Sequence, residues 1–217
     1  MVSDSPTSGP SLLPLGTSKG YLRPTMAPLF LVLIVFFAYW NSLSGGFVYD
    51  DVFLIVENPQ IRDAASLPEI FTSGFWESSS RPSSTYYRPL VTASYLFNFS
   101  LGGLAPVGYH LANVLLHCLN VLLVFALARR LTASLPVAFV TAGIFGLHPI
   151  NTEAVAWISG RTDVLAAVFM LLAINVHVMT AAKESGGRKL AWIGWGAFAM
   201  SLLAKEIAVT SVLVIAI

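Results

Sequence analysis

Apolar stretches set the frame of this chain, and the polar residues between them are unevenly shared. Thr25 to Leu43 is uncharged and rich in Phe, Leu, Ile and Val, long enough to cross a bilayer. Further apolar runs cover Val107 to Ala128, Leu135 to Ile150, Val164 to Ala182 and Leu190 to Ala204. Another begins at Ile207 and reaches Ile217 after 11 residues, short of the roughly 20 a spanning helix needs. The pattern predicts an all-α, polytopic membrane helix bundle, with spans at about 25–43, 107–128, 135–150, 164–182, 190–204 and an incomplete 207–217. Because the last run is cut short, the chain reads as the truncated N-terminal part of something longer, incomplete and inactive alone.

Residues 1–24 are rich in Ser, Pro and Gly, lack periodicity, and read as a disordered tail. A basic flank before an apolar core also fits a signal peptide, but the run is long and more spans follow. Ser44 to Pro106 is a long polar loop. Within it, Pro68 to Trp76 reads as a short amphipathic piece whose Ile70, Phe71, Phe75 and Trp76 suit the headgroup region. Leu90 to Leu101 is apolar but too short to span, and reads as an interfacial or re-entrant helix. Ser134 is placed as an N-cap, with Pro136 in the first turn.

Composition agrees: 56% of the residues are hydrophobic and 11% charged, against about 25% charged in soluble domains. A net charge of +1 gives no case for nucleic acid. The single cysteine, Cys118, excludes an internal disulfide and says nothing about compartment. Charge also sets orientation. With the N-terminus inside, inner segments hold seven basic and two acidic residues, and outer segments five basic and nine acidic ones. The short inner turns around Arg129-Arg130 and Lys183 to Lys189 carry the argument.

This parity brings three polar clusters to the outer face. Asp50-Asp51 follows the first span; His148, Glu153, Arg161 and Asp163 surround the third and fourth; Lys205-Glu206 follows the fifth. Ionisable groups at span boundaries are costly when unpaired and mark functional sites; the plain alternatives are a solvated loop, interfacial anchors and interhelical salt bridges. In the second span His110, Asn113, His117 and Asn120 recur at i, i+3, i+7 and i+10, on one side of a helix. Such a stripe hydrogen-bonds neighbouring helices, and His110, nearest the outer face, is the member placed to support a site. Tyr87-Arg88-Pro89 adds an interfacial arginine suited to a phosphate, a lipid headgroup or an acid of the same loop. Asn98-Phe99-Ser100 fits a glycosylation sequon.

Phe47-Val48-Tyr49-Asp50-Asp51, Tyr87-Arg88-Pro89-Leu90, Tyr109-His110-Leu111-Ala112-Asn113 with His117, His148-Pro149 with Thr152-Glu153-Ala154-Val155, Ser159-Gly160-Arg161 with Asp163, and Leu202-Leu203-Ala204-Lys205-Glu206 follow one another in order. The series resembles the transmembrane and tetratricopeptide-repeat-containing proteins and their bacterial relatives, which belong to the lipid-phosphate-sugar-dependent glycosyltransferases of the C-type fold. It departs at Ala204, where Ser is more usual, and lacks the later spans and the repeats of about 34 residues.

The resemblance implies transfer of a mannose-like sugar from a polyprenyl or dolichyl phosphate to a protein or other hydroxyl acceptor on the extracytoplasmic face. It implies an acid of the first outer loop, Asp50 or Asp51, as general base. A departing lipid phosphate needs positive groups, and Arg88, His148, Arg161 and Lys205 are the candidates. Glu153, Glu206 and Asp163 are candidates to bind a metal or to orient the basic groups; some C-type transferases use a divalent ion and others do not. The implied location is the endoplasmic reticulum membrane in a eukaryote, or the plasma membrane in a bacterium. The alternative is a transporter or lipid-binding assembly protein without catalysis, which would line a path through the bundle with charge. Here the strong charges stop at the span boundaries.

Overall fold

The computed structural model describes residues 26–78, 85–181 and 187–215. The expected disordered tail, most of the turn at 78–84 and Lys183 lie outside the described residues. No strand occurs among the described residues, and the chain is an all-α membrane helix bundle. Its helices are α1 (Ala27–Ala38), α2 (Leu67–Ile70), α3 (Pro89–Gly102), α4 (Pro106–Thr132), α5 (Leu135–Leu147), α6 (Thr152–Ala156), α7 (Arg161–Ala181), α8 (Gly187–Ala204) and α9 (Ser211–Ile215).

The central element is α4, which packs against α1, α5 and α7, while α8 pairs with α7. Its 27 residues span roughly 40 Å at 1.5 Å per residue, more than the ~30 Å apolar thickness of a bilayer. Residues Ile158–Ala181 form a second helix long and apolar enough to cross. Leu135–Leu147 and Pro149–Ala156 make a third span if their 47° bend is one broken helix. The break has a local cause. Pro149 holds His148 in an extended conformation (φ −66°, ψ 130°) and brings no N–H of its own to the helix.

The first apolar run is α-helical over only 12 residues and continues as a 3-10 turn, Trp40–Ser44. Ser42 and Ser44 donate their hydroxyls to the Tyr39 and Asn41 carbonyls, so side chains take up groups that a longer helix would use. The outer surfaces of α1 and α8 stay apolar, with Leu29, Phe30, Leu33 and Phe37 on one and Trp192, Ile193 and Trp195 on the other exposed. In water such surfaces would be a liability; in a bilayer they are the expected contact.

Two apolar cores stack along α4. One joins α1, α4 and α5 through Leu31, Val35, Val114, Val121 and Ala142. Here the helices approach closely: a Cβ on Gly146 would lie 2.7 Å from Val35 Cγ2 and 2.8 Å from Val121 Cγ2. The other core sits at the loop end and gathers Leu54, Ile55, Ile61, Phe75, Tyr95 and Tyr109. It draws the long loop onto the bundle. Of the amphipathic piece, Ile70 and Phe75 are buried in the protein while Phe71 remains exposed; its only α-helical turn is α2.

The α4 stripe works as interhelical glue. His110, Asn113, His117 and Asn120 are all buried. His117 Nε2 hydrogen-bonds the Gly146 carbonyl at 3.0 Å, Asn120 donates to the Val164 carbonyl at 2.9 Å, and Asn113 donates to the Trp157 and Ile158 carbonyls at 2.9 and 3.2 Å. At the other end, α4 closes on Ala133 in the left-handed region (φ 52°), and Arg130 hydrogen-bonds Asn175 of α7.

Candidate active site

The adjacent acids of the first loop diverge. Tyr49 takes a left-handed conformation (φ 50°), unusual for a bulky residue, and the chain turns there. Asp51 then folds inward and is fully buried. Its Oδ2 accepts from the Val48 N–H at 3.0 Å, and its Oδ1 accepts from the Ser159 N–H at 2.9 Å and the Ser159 hydroxyl at 2.5 Å. Burial pushes its pKa up, and these three hydrogen bonds oppose that rise. Asp51 thus ties the first loop to the start of α7. Asp50, half-buried, lines two cavities instead.

The start of α7 is fixed from below. Asn113 holds the carbonyls of Trp157 and Ile158 and accepts from Arg161 Nε at 2.8 Å. Arg161 is 1% exposed; its guanidinium donates to Asn98 Oδ1 at 2.5 Å and to the Tyr109 carbonyl at 2.8 Å, and lies over the Tyr95 ring with Cζ 4.8 Å from the ring centroid. Five donors in a planar fork suit such a set of neutral oxygens.

The first cavity, about 510 Å³, is lined by Asp50, Arg88, Glu153, Asp163 and Lys205, with Trp76 among its aromatic walls. Lys205 pairs with Asp163 at 2.5 Å, and Arg88 with Glu206 through two contacts of 2.6 and 3.1 Å. The Arg88 hydrogen bonds pull the Glu206 carboxyl below its usual range. The second cavity, about 750 Å³, is lined by Asp50, Asp51, His110 and Glu153 together with Gly45, Tyr49 and Trp157. Asp50, Glu153 and Trp157 line both.

The structure therefore gathers Asp50, Arg88, Glu153, Asp163 and Lys205, with Glu206 joined to Arg88 and His110 on the neighbouring cavity. Two candidates lie elsewhere. Arg161 lines neither cavity and its donors are spent in the interior. His148 is exposed, and its Nδ1 accepts from the Ile150 N–H at 3.1 Å, capping the turn after α5. Among the described residues no group of three or more His, Cys, Asp or Glu side chains is arranged to hold a metal ion. Glu206 and Asp163 each face a cation. The Asn98 amide is used by Arg161 Nη1 and by the Gly108 carbonyl.

No family model matches the chain, and no solved structure matches it at significance. Curated relatives do match. Protein O-mannosyl-transferase Tmtc2 of Drosophila melanogaster is 37% identical over 196 residues, covering 87% of this chain and 21% of the relative. Protein O-mannosyl-transferase TMTC1 of Homo sapiens is 41% identical over 156 residues, covering 70% and 18%. Protein O-mannosyl-transferase F38B6.6 of Caenorhabditis elegans is 34% identical over 165 residues, covering 74% and 24%. The chain belongs to the transmembrane and tetratricopeptide-repeat-containing family. It spans about a fifth of the length of the family members it matches.

Two residues of this family member's site have no role assigned from the sequence. Trp157 lines both cavities, and Ser159 is the partner of Asp51. Ser159 sits in the Ser159-Gly160-Arg161 run, but nothing in its spacing to Asp51 signals a contact between residues 108 apart.

Proposed function

We propose that this chain carries part of the catalytic site of a protein O-mannosyl-transferase, moving mannose from a polyprenyl phosphate to a protein hydroxyl on the outer face of the membrane. The observation that carries it is the position of Asp50, on the shared wall of two cavities of which one gathers Arg88 and Lys205. A carboxylate there accepts the acceptor hydroxyl's proton as the oxygen attacks the anomeric carbon. The bond from that carbon to the phosphate oxygen breaks, and the phosphate leaves with its electron pair. Lys205 and Arg88 hold the departing charge, turning toward it from Asp163 and Glu206. Asp51 orients the loop and takes no proton. Glu153, on the same shared wall, orients the cations or the sugar.

Residues 25–217 then belong to a membrane domain of the C-type fold, with the N-terminus cytoplasmic and, in a eukaryote, the endoplasmic reticulum as its membrane. The basic inner turns support this orientation. The reading is tested with the intact protein in membranes, a polyprenyl phosphate carrying radiolabelled mannose, and an acceptor protein. Label is expected in the acceptor, and Lys205→Ala is expected to raise the KM for the lipid donor about tenfold or more, the scale of a charge-assisted hydrogen bond. No label in the acceptor, with an intact and folded protein, overturns the reading.

A further inference from the structure

A further cavity, about 220 Å³, lies beside the one lined by Lys205 and shares Asn151, Ala154 and Asp163 with it. It reaches from those residues, at the loop end of the bundle, to Met170, roughly 10 Å further along α7 at 1.5 Å per residue. Its walls are mostly apolar, so the few polar atoms on it decide what it holds.

The donors of those side chains go to the helices around them. Asn151 Nδ2 donates to the Phe145 carbonyl at 2.7 Å, and His117 Nε2 bonds the Gly146 carbonyl at 3.0 Å, both just before the break after α5. Asn120 Nδ2 donates to the Val164 carbonyl at 2.9 Å. A carbonyl only accepts, which fixes both the orientation of the Asn120 amide and the imidazole nitrogen that carries the proton. An acceptor pair is left over. Asn120 is 1% exposed, and its Oδ1 is buried with no hydrogen-bond partner among the described residues. His117, donating through Nε2, presents a bare Nδ1 in the uncharged ring, and no protein donor meets it among the described residues. Both residues line the cleft, and residues three apart on a helix are neighbours, about 5–6 Å between Cβ atoms.

Buried polar side-chain atoms are nearly always satisfied. A lipid chain brings no donor and would leave both acceptors unpaired, the costly arrangement. Water supplies two donors from one small molecule. The cleft has room for several, at about 30 Å³ for each water's share of the liquid.

We propose that this cleft is a hydrated site within the membrane bundle, its innermost water donating to Asn120 Oδ1 and His117 Nδ1 and the rest reaching Asp163. Asp163 lines both this cleft and the cavity of Lys205, so the water gives that carboxylate donors besides the Lys205 ammonium.

Three readouts on the intact protein in lipid nanodiscs test it, none involving sugar transfer, so the proposal stands or falls apart from the transferase reading. In the parent protein, Met170 is expected to gain oxygen during a millisecond X-ray pulse, because hydroxyl radicals form from water at the site. An unmodified Met170 overturns the proposal. Next, Ala167→Cys in the cleft is compared with Val140→Cys on the exposed apolar side of α5, using methanethiosulfonate ethylammonium and peptide mass spectrometry. The thiolate is the reacting form, and each unit by which an apolar setting raises a thiol's pKa slows it about tenfold, so Ala167→Cys is expected to react at least about tenfold faster. Equal rates overturn the proposal, as does protection of Ala167→Cys by sodium relative to choline, which would assign the cleft to a cation. Finally, Asn120→Leu removes the anchor and is expected to bring the Ala167→Cys rate in folded protein down toward that of Val140→Cys; an unchanged rate overturns the anchoring role. Should Asn120→Leu fail to fold, the first two readouts decide.

Discussion

Asp51→Asn separates the two acids of the first loop by stability. In the parent, one carboxylate oxygen serves both donors of Ser159 and the other serves the Val48 N–H. An asparagine keeps a carbonyl oxygen for Ser159, but its NH2 then meets the Val48 N–H, donor against donor. One charge-assisted bond is lost, worth about 1.5–3 kcal/mol, and a buried amide is left unpaired. Removing the buried charge returns part of that, because burial already disfavours the ionised form. A net loss of about 2 kcal/mol remains, or roughly 4–8 °C in melting temperature for a domain of about this size. Ser159→Ala removes only the hydroxyl bond and is expected to cost about 1–2 kcal/mol. The double variant should lose less than the two effects combined, since both act on one carboxylate. Thermal unfolding of the purified protein in detergent reads all three. Melting within about 1 °C of the parent for both single variants would refute the buried tether, because a cost of even 1 kcal/mol would exceed that shift.

Arg161→Lys retains the charge but cannot reproduce the fork that reaches Asn113, Asn98 and the Tyr109 carbonyl; it is expected to cost about 3 kcal/mol or more as buried acceptors go unpaired, read as a lower yield of folded protein and a lower melting temperature. Gly146→Ala would overpack the contact of α5 with Val35 and Val121 at about 1–3 kcal/mol, read in the same melt. The Arg88–Glu206 pair depends on pH through Glu206, whose pKa is held below the usual carboxylate value by the Arg88 hydrogen bonds. Its contribution is complete above about pH 4.3, the unfolded value, and is lost as pH falls through the lower folded value. Cross-linking between cysteines placed at the exposed positions Tyr87 and Ile207 should therefore change below about pH 4 in the parent and lack that step in Glu206→Gln.

The sequence made the bundle legible because its signals are local. Apolar run lengths marked the helices, and the spacing of His110, Asn113, His117 and Asn120 marked a single polar face whose hydrogen bonds to neighbouring segments are now visible. The helix ends were less legible. Serine hydroxyls near Tyr39 and the restriction imposed by Pro149 act through local backbone bonding, which hydropathy does not register. The site was legible as a set of acids and bases at one end of the bundle, but not in its assignments. A charge at a span boundary looks the same whether it faces a cavity, as Lys205 does, or neutral interior oxygens, as Arg161 does. The opposite fates of Asp50 and Asp51 depend on a turn at Tyr49 and on a serine 108 residues away.

The central claim is that Asp50 takes the proton while Asp51 builds the loop. It is tested most directly by single-turnover mannose transfer in Asp50→Asn, measured beside its melting temperature. A general base contributes about 10²–10⁴-fold, so transfer is expected to fall by at least about 100-fold while the melting temperature stays within a degree or so of the parent. Transfer by Asp50→Asn at the parent rate would contradict the account.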